Sequence, residues 1–403
     1  IFRVLSEKPF NAEPPQGILA EHLLTPSEAF FTRNHLPVPK ADAGSHRLEL
    51  RTEDGSKVVR VSLGDLKSKF RKHVLLATLQ CAGNRREEMS GFRKVQGLSW
   101  GNTAISTATW GGVLLRDVLE HYGMAEELEF PLKHLHFIGL DNDGNGTHYA
   151  ASIPAAKALS PSGDVLLAWE MNGSELPVDH GYPLRVIVPG YVGARNVKWL
   201  SAVVLSHEEV DSHWQRTDYR ILPPSKDYRN VTVEDYAQTV AIHDMPITSA
   251  ICTPAPGALF DADTTEIEMT GFAFSGGGRR ILRVDVSADG GQTWESAQLV
   301  RTVAEDPNFI DPSSFEGSLP EEARLRFQSG LEAEESDFLS GRTWHWALWS
   351  ASVPVSWLDG EAQLLVKAVD ESYNTQPRDI SDVWNFRGLL NTSWHSVKVK
   401  CSA

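Results

Sequence analysis

The sequence predicts an α+β protein in two parts. A mixed α/β domain spans residues 1–240, and an immunoglobulin-like β-sandwich spans residues 241–403. Three observations predict this. A chain of 403 residues exceeds what one ordinary core encloses. Between residues 45 and 235, apolar strand-sized runs alternate with helical patterns, as in a mixed core. After residue 240 the helical period vanishes, and short alternating runs are separated by Gly and Asp turns, as in a sandwich.

The elements follow in order. Residues 1–40 carry Pro9, Pro14, Pro15, Pro26, Pro37 and Pro39 and read as irregular. His73 to Gln80 reads as a buried strand, stopped by Cys81-Ala82-Gly83-Asn84. Residues 113–121 read as a short amphipathic helix carrying Val113, Leu114, Val118 and Leu119 on one side. Residues 165–171 read as a strand entering a tight turn at Asn172-Gly173, and residues 184–189 as a further apolar strand. In the second part, residues 265–273 and 281–287 alternate, and Asp289-Gly290-Gly291 marks a hairpin. The paired spacings of Trp344, Trp346 and Leu348, and of Leu364, Val366 and Ala368, mark two more strands. The boundary falls at residues 236–248.

Residues 304–341 interrupt the sandwich. They carry Glu305, Asp306, Asp311, Glu316, Glu321, Glu322, Glu332, Glu334, Glu335 and Asp337 against Arg324 and Arg326. The segment reads as a solvated, mobile loop. A sharper reading makes it a docking surface for a basic partner.

Composition narrows the function. The formal charge of −15 with a pI near 5.4 argues against a broad nucleic-acid footprint, although net charge does not forbid a local basic pocket. No apolar run approaches the roughly 20 residues that span a bilayer, so no membrane span is expected. Three cysteines, Cys81, Cys252 and Cys401, make no disulfide framework. Dinucleotide, P-loop, nucleophile-elbow and zinc-helix motifs are absent from the sequence. The run from Asp141 to Gly146 imitates a calcium loop, but Ser152 stands where the bidentate acid belongs. It reads as a turn.

The chemistry concentrates in Cys81-Ala82-Gly83-Asn84-Arg85-Arg86. A strand delivers the thiol to its end, and two arginines follow within five residues. Positive charge nearby favours thiolate over thiol, and a thiolate is a soft metal ligand. A buried structural cysteine accounts for Cys81 equally well but leaves the arginine pair unexplained. Clustered guanidiniums suit an oxyanion.

This segment resembles the cofactor-cysteine motif of the sulfite oxidase family of molybdenum-pterin enzymes. The resemblance continues, in order, through Lys8-Pro9-Phe10-Asn11-Ala12-Glu13-Pro14-Pro15, Phe31-Thr32-Arg33-Asn34-His35, Asp179-His180-Gly181-Tyr182-Pro183-Leu184-Arg185, Gly193-Ala194-Arg195-Asn196-Val197-Lys198-Trp199 and Asn391-Thr392-Ser393-Trp394-His395. It covers nearly the whole chain except the acidic insert. It implies a molybdopterin-binding domain followed by a dimerising sandwich, with Cys81 as the protein thiolate on molybdenum. The pterin rim and phosphate would be held by Phe31, Thr32, Arg33, Asn34, His35, Asp141, His180, Arg185, Asn196, Val197 and Lys198. Taken singly, His35 and His180 also read as structural histidines, and Arg185 and Lys198 as paired surface charges.

The resemblance further implies a substrate pocket of Arg33, Arg86, Arg387, Trp100 and Tyr219. Trp100 by itself reads equally as a core tryptophan. Arg85 takes a structural or pterin-side role. The implied reaction is oxidation of sulfite to sulfate by oxygen-atom transfer. The runner-up is nitrate reduction on the same scaffold, whose enzymes generally carry Asn at the place of Tyr219 and Met at that of Arg387. A non-enzymatic interaction protein is a third reading. Phe386 departs from the family's more usual Leu, a tolerated change in volume. The resemblance also implies a homodimer. Heme is expected only if a domain lies upstream, outside this chain, with cytochrome c as the acceptor in the mitochondrial intermembrane space. The alternative is a peroxisomal, oxygen-using type. The animal-like phrase at residues 30–39 and a C-terminus unlike a peroxisomal address favour the mitochondrion.

Overall fold

The computed structural model describes residues 2–124, 132–306, 308, 320–355, 357 and 360–402. Its N-terminal part is built on two five-stranded sheets. One runs in the order β5 (Val58–Ser62), β4 (Arg47–Thr52), β13 (Leu200–Ser206), β8 (His134–Asn142) and β9 (His148–Pro154), with β4 and β13 parallel. The other runs from β11 (Ser174–Glu175) through β10 (Leu166–Met171) and β7 (Ile105–Leu114) to β6 (His73–Gln80), with β12 (Arg185–Ile187) added to β10. Antiparallel pairing predominates, and the first apolar core collects Leu50, Phe137, Leu167, Val186 and Val203 from both sheets. Burying such side chains is the main stabilising term.

β6 and the turn at Asn172-Gly173 stand where the sequence puts them. Both turn residues have positive φ, 52° and 76°, as a two-residue hairpin requires. The helix expected at residues 113–121 begins later, at Leu115, because Val113 and Leu114 finish β7. Every residue of β7 is buried between its neighbours β6 and β10. A strand apolar on both faces cannot be told from a helical turn by periodicity. Residues 1–40 are likewise not irregular throughout. β1 (Arg3–Glu7), β2 (Phe10–Glu13) and β3 (Thr32–Arg33) form a small antiparallel sheet. Pro9, Pro14, Pro15 and Pro26 fall between the strands, where a missing N–H costs no ladder bond.

The C-terminal part is two sheets face to face. One orders β14 (Thr248–Thr253), β16 (Glu266–Phe274), β20 (Ala347–Pro354) and β19 (Gln298–Val300). The other orders β15 (Leu259–Phe260), β22 (His395–Cys401), β21 (Glu361–Asp370), β17 (Ile281–Ser287) and β18 (Glu295–Ser296). Ile251, Met269, Val284, Trp349, Val366 and Val397 fill the space between them.

The two parts meet on β6. Its Thr78 N–H donates to the Trp344 carbonyl at 3.0 Å, and the Trp346 N–H donates to Thr78 Oγ1 at 2.8 Å. Trp346, fully buried, also donates its indole N–H to Leu23 O at 2.9 Å. The edge of the strand that ends at Cys81 is therefore closed by the C-terminal half.

The acidic insert departs from the loop reading. Glu321–Ser340 is a 20-residue helix, not a loop. Phe327 and Ala333 are buried in a core shared with Leu24, Val303 and Trp346, and Ser329 exchanges a hydrogen bond with Thr109 on β7 at 2.5 Å. Glu321, Glu322, Glu332 and Glu335 face solvent. The abundance of acids on the exposed side hides the narrow buried stripe at i, i+2 and i+6 in the sequence. Asp311, Glu316 and the side chain of Asp337 lie outside the described residues.

Candidate active site

β6 delivers Cys81 to the floor of a cavity. The thiol is 7% exposed, and the Gly83 N–H points at its sulfur from 3.4 Å. The loop is pinned by Asn84, whose Oδ1 accepts the Ala104 N–H at 3.0 Å. Arg85 and Arg86 then diverge. Arg85 takes a left-handed backbone (φ 64°) and is fully buried. It forks onto Glu88 at 2.8 and 2.7 Å and donates to Ser393 O at 2.6 Å. Arg85 thus clamps the cysteine loop to the chain entering β22.

Arg86 turns back toward the thiol. Its Nε donates to the Arg387 and Gly388 carbonyls, both at 3.1 Å, and its Nη1 to Leu98 O at 2.9 Å. The guanidinium lies between two glycines. A Cβ on Gly83 would stand 2.6 Å from its Cζ, and one on Gly97 2.6 Å from its Nη1. This explains the glycine of the cysteine motif as room for an arginine. Burial pushes the Arg86 pKa down. Arg387 and Arg33 add to that, and Cys81 and Tyr219 oppose it. Arg86 therefore stands near one thiol, one phenol and two further arginines, although Arg387 lies 301 residues from it in the chain. Arg33 is steadied by Asn11 Oδ1 at 3.1 Å and Asn34 O at 2.5 Å.

The cavity beside Cys81 offers about 640 Å³ of empty space, part of it open to solvent. Of the residues expected at the cofactor, Phe31, Arg33, His35, Asp141, His180, Arg185, Asn196, Val197 and Lys198 line it with Cys81 and Tyr219. Its cations are held by neutral groups. Arg185 donates to the carbonyls of His180 at 2.7 Å and Asn196 at 3.1 Å, and its buried Nε has no partner. Lys198 donates to Asp179 O at 2.7 Å and to the Asn34 amide oxygen. Burial pushes Arg185 down to about 9. Burial and then the neighbouring Arg185 push Lys198 down to about 7. His180 falls to about 3, again chiefly by burial, which keeps its imidazole neutral. The Asp141 carboxyl rises to about 6 by burial, with Oδ1 unpartnered. Unmet donors on desolvated cations fit a phosphate, and an unmet acceptor fits a ring N–H. Among the described residues no three His, Cys, Asp or Glu side chains converge. A metal at Cys81 would then draw its other ligands from the cofactor itself. The cavity therefore fits a phosphate-bearing, metal-chelating pterin.

Other expected residues stand elsewhere. Trp100 is completely buried and packs in the apolar cluster around Cys81, and it does not wall the cavity. Thr32 opens on a separate outer groove. The Asn34 side chain bonds Asp179 at 3.1 Å and Lys198, so it supports a cavity residue without lining it. Asn196 lines the wall, but its amide is occupied by backbone, accepting the Val188 N–H at 2.7 Å. Arg86 approaches Cys81 from outside this cavity, with Arg387 beside it.

The sequence reading missed Tyr149, Arg195 and Trp199. Tyr149 stacks on His35 with centroids 4.5 Å apart, while the His35 Nε2 meets the Tyr219 hydroxyl at 2.6 Å. Burial drives His35 well below its ordinary value and Tyr219 up to about 12, so a neutral imidazole faces a protonated phenol. Arg195, fully buried, lies 5.8 Å from the Tyr219 ring centroid. Arg195 and Trp199 sat inside a quoted motif. Tyr149 carried no signal, being one aromatic on an ordinary strand.

Comparisons with known proteins agree with this geometry. Residues 35–214 match the oxidoreductase molybdopterin binding domain, and residues 239–402 match the Mo-co oxidoreductase dimerisation domain. The fold and site thus define a molybdopterin-dependent oxidoreductase with a β-rich dimerisation domain. The chain is 48% identical over 393 residues to sulfite oxidase of Gallus gallus, covering 98% of this chain and 76% of that protein. It is 44% identical over 398 residues to mitochondrial sulfite oxidase of Mus musculus, covering 99% of this chain and 65% of that protein. The NADH nitrate reductase of Spinacia oleracea is more distant, 34% identical over 407 residues and covered for 40% of its length. Among solved structures, the sulfane dehydrogenase SoxCD from Paracoccus pantotrophus shares the fold, with a TM-score of 0.72 at 24% identity over 98% of this chain and 85% of that one. The chain belongs to the sulfite oxidase family.

Proposed function

We propose that this chain oxidises sulfite to sulfate by oxygen-atom transfer at a molybdenum-pterin centre held on Cys81. The observation that carries the reading is the approach of Arg33 and Arg86 to Cys81 and Tyr219, with Arg387 held beside Arg86. Bound there, the cofactor supplies the oxygen atom and takes up two electrons. The residues of this chain do the rest. The arginines strip and orient a small oxyanion, acting as fixed donors in a site that excludes water. The Tyr219 phenol, protonated at neutral pH, faces the anion or the proton leaving with it, and shares a hydrogen bond with the neutral His35 imidazole. Arg185, Lys198, His180 and Asp141 hold the pterin and its phosphate. Residues 1–240 form the cofactor domain, and residues 241–403 mediate a homodimer.

Nitrate reduction is the second reading. Tyr219 and Arg387 favour sulfite, since Asn and Met are expected at those places in nitrate reductases. Assaying the loaded enzyme with both substrates separates them. Sulfite turnover with negligible nitrate turnover is expected, and the reverse refutes the assignment.

The mitochondrial sulfite oxidase of Mus musculus supports a mitochondrial location, which we place in the intermembrane space, with cytochrome c as acceptor if a heme domain accompanies this chain. Oxygen consumption without added cytochrome c would favour the peroxisomal type. Sedimentation of a concentration-independent monomer would refute the dimer.

A further inference from the structure

We propose that Asp218 is a built-in counter-ion for Arg387 that weakens the grip of the arginine cluster on a small oxyanion and so eases its release. The inference rests on the sulfite reading above. Asp218 closes a π-helical turn, Trp214–Asp218, in which the Tyr219 N–H reaches back to Trp214 O at 3.2 Å. Such turns are rare and concentrate at functional sites. This one sets neighbouring side chains to different tasks. Tyr219 points inward to His35. Asp218 points across to the C-terminal half, where its Oδ1 accepts Arg387 Nη2 at 2.6 Å.

The rest of the Arg387 guanidinium is informative. Nη1 donates to Gln96 Oε1 at 3.0 Å, and the buried Nε has no partner. The side chains of Arg387 and Asp218 are 14% and 21% exposed, so their attraction is only partly screened. His213 Nε2 lies 3.1 Å from the same Asp218 oxygen, and the Tyr236 hydroxyl also faces Arg387. An arriving anion therefore meets Arg33 and Arg86 without a bound carboxylate, but it must compete with Asp218 for Arg387. A negative charge a few ångströms from the anion lowers its affinity by about threefold to tenfold in a partly buried site. A substrate consumed and released at every turnover tolerates that loss, and faster release compensates for it.

The test uses loaded enzyme with sulfate as the probe, measured by calorimetry and by product inhibition. Asp218→Asn keeps an acceptor for Nη2 and removes the charge. Sulfate should bind about threefold to tenfold tighter, the KM for sulfite should fall by a similar factor, and kcat should not rise. Asp218→Glu keeps the charge and should stay within about twofold of wild type. Unchanged or weaker sulfate binding in a folded, molybdenum-containing Asp218→Asn variant overturns the proposal. Gln96 is exposed, so Gln96→Glu offers an approach that spares the fold. A second carboxylate on Arg387 should weaken sulfate by a similar factor, and an unchanged affinity again overturns the proposal. A wild type that neither oxidises sulfite nor binds sulfate overturns the reading of the site itself. Wild-type binding with silent variants overturns the counter-ion alone.

Discussion

The protein holds its cations in two different ways. In the cavity, Arg185 and Lys198 are desolvated and supported by carbonyl and amide oxygens, without a carboxylate on either. At the outer cluster, Arg387 carries its own carboxylate, Asp218, at 2.6 Å. Burying a charge without a bound carboxylate is unfavourable, and the depressed pKa values of Arg185 and Lys198 express that cost, which Asp141 and Asp179 offset only in part at Lys198. Such a site gains most when a permanent anionic cofactor arrives and stays. A compensated arginine gains less from an anion and releases it more readily, which suits a substrate. On the proposed roles, two arginines of identical chemistry would thus be tuned, by what lies beside them, for retention and for exchange.

Cys81 stands between these regions, and its loss should have the largest effect. Cys81→Ala should lower sulfite turnover by more than about 100-fold, beyond what losing an outer-shell partner of a metal costs. Thermal stability should change little, because a buried thiol contributes little packing beyond that of alanine. Turnover within tenfold of wild type would deny the thiolate its role. The next two changes set the regions against each other. Arg185→Ala removes charged hydrogen bonds, each contributing about 1.5–3 kcal/mol, and should weaken cofactor retention by about 10-fold to 100-fold, read as pterin release on dilution. Arg387→Met should leave cofactor content unchanged and raise the KM for sulfite by about tenfold. If Arg387→Met sheds cofactor, or Arg185→Ala alters only KM, the division of labour is wrong.

Much of this was legible in the sequence because the motifs are local. The cysteine loop, the 180–185 turn and the 193–199 turn each bring their functional side chains within a few residues, and each lands at the cavity. The α+β core followed by a sandwich was legible from a change of period. What could not be read depends on distant contacts. Trp100 reads equally as a pocket wall and as a core tryptophan, and only the fold shows its indole buried in the apolar packing around Cys81. Asp218 drew no attention, since its importance arises from Arg387, 169 residues away. The loop reading failed because charge dominates the composition of the insert, whereas among the described residues Phe327, Ser329, Gly330 and Ala333 carry its packing.

The smallest expected effect tests whether the cavity's charge is truly unmet. Lys198 titrates at about 7 in the cofactor-free protein, through burial first and Arg185 second. A phosphate dianion prefers its protonated form, so affinity for a phosphate-bearing pterin should rise as pH falls through that value. Asp141, at about 6, and the phosphate itself, near a pH of about 6, gain their protons only at the lower edge of the range from about pH 8 to about pH 6. The stability of the empty protein runs the other way. A lysine whose folded pKa lies below its unfolded value destabilises the fold most below about 7, and that penalty fades as pH climbs toward the ordinary lysine value. Pterin binding to cofactor-free protein, titrated between about pH 8 and pH 6, should therefore strengthen about threefold to tenfold in wild type, the upper bound being tenfold per unit. Lys198→Arg keeps its charge across that range and should vary by less than about twofold. A Lys198→Arg profile as steep as wild type would mean that Lys198 is already charged and compensated, and the two regions would then hold their cations alike.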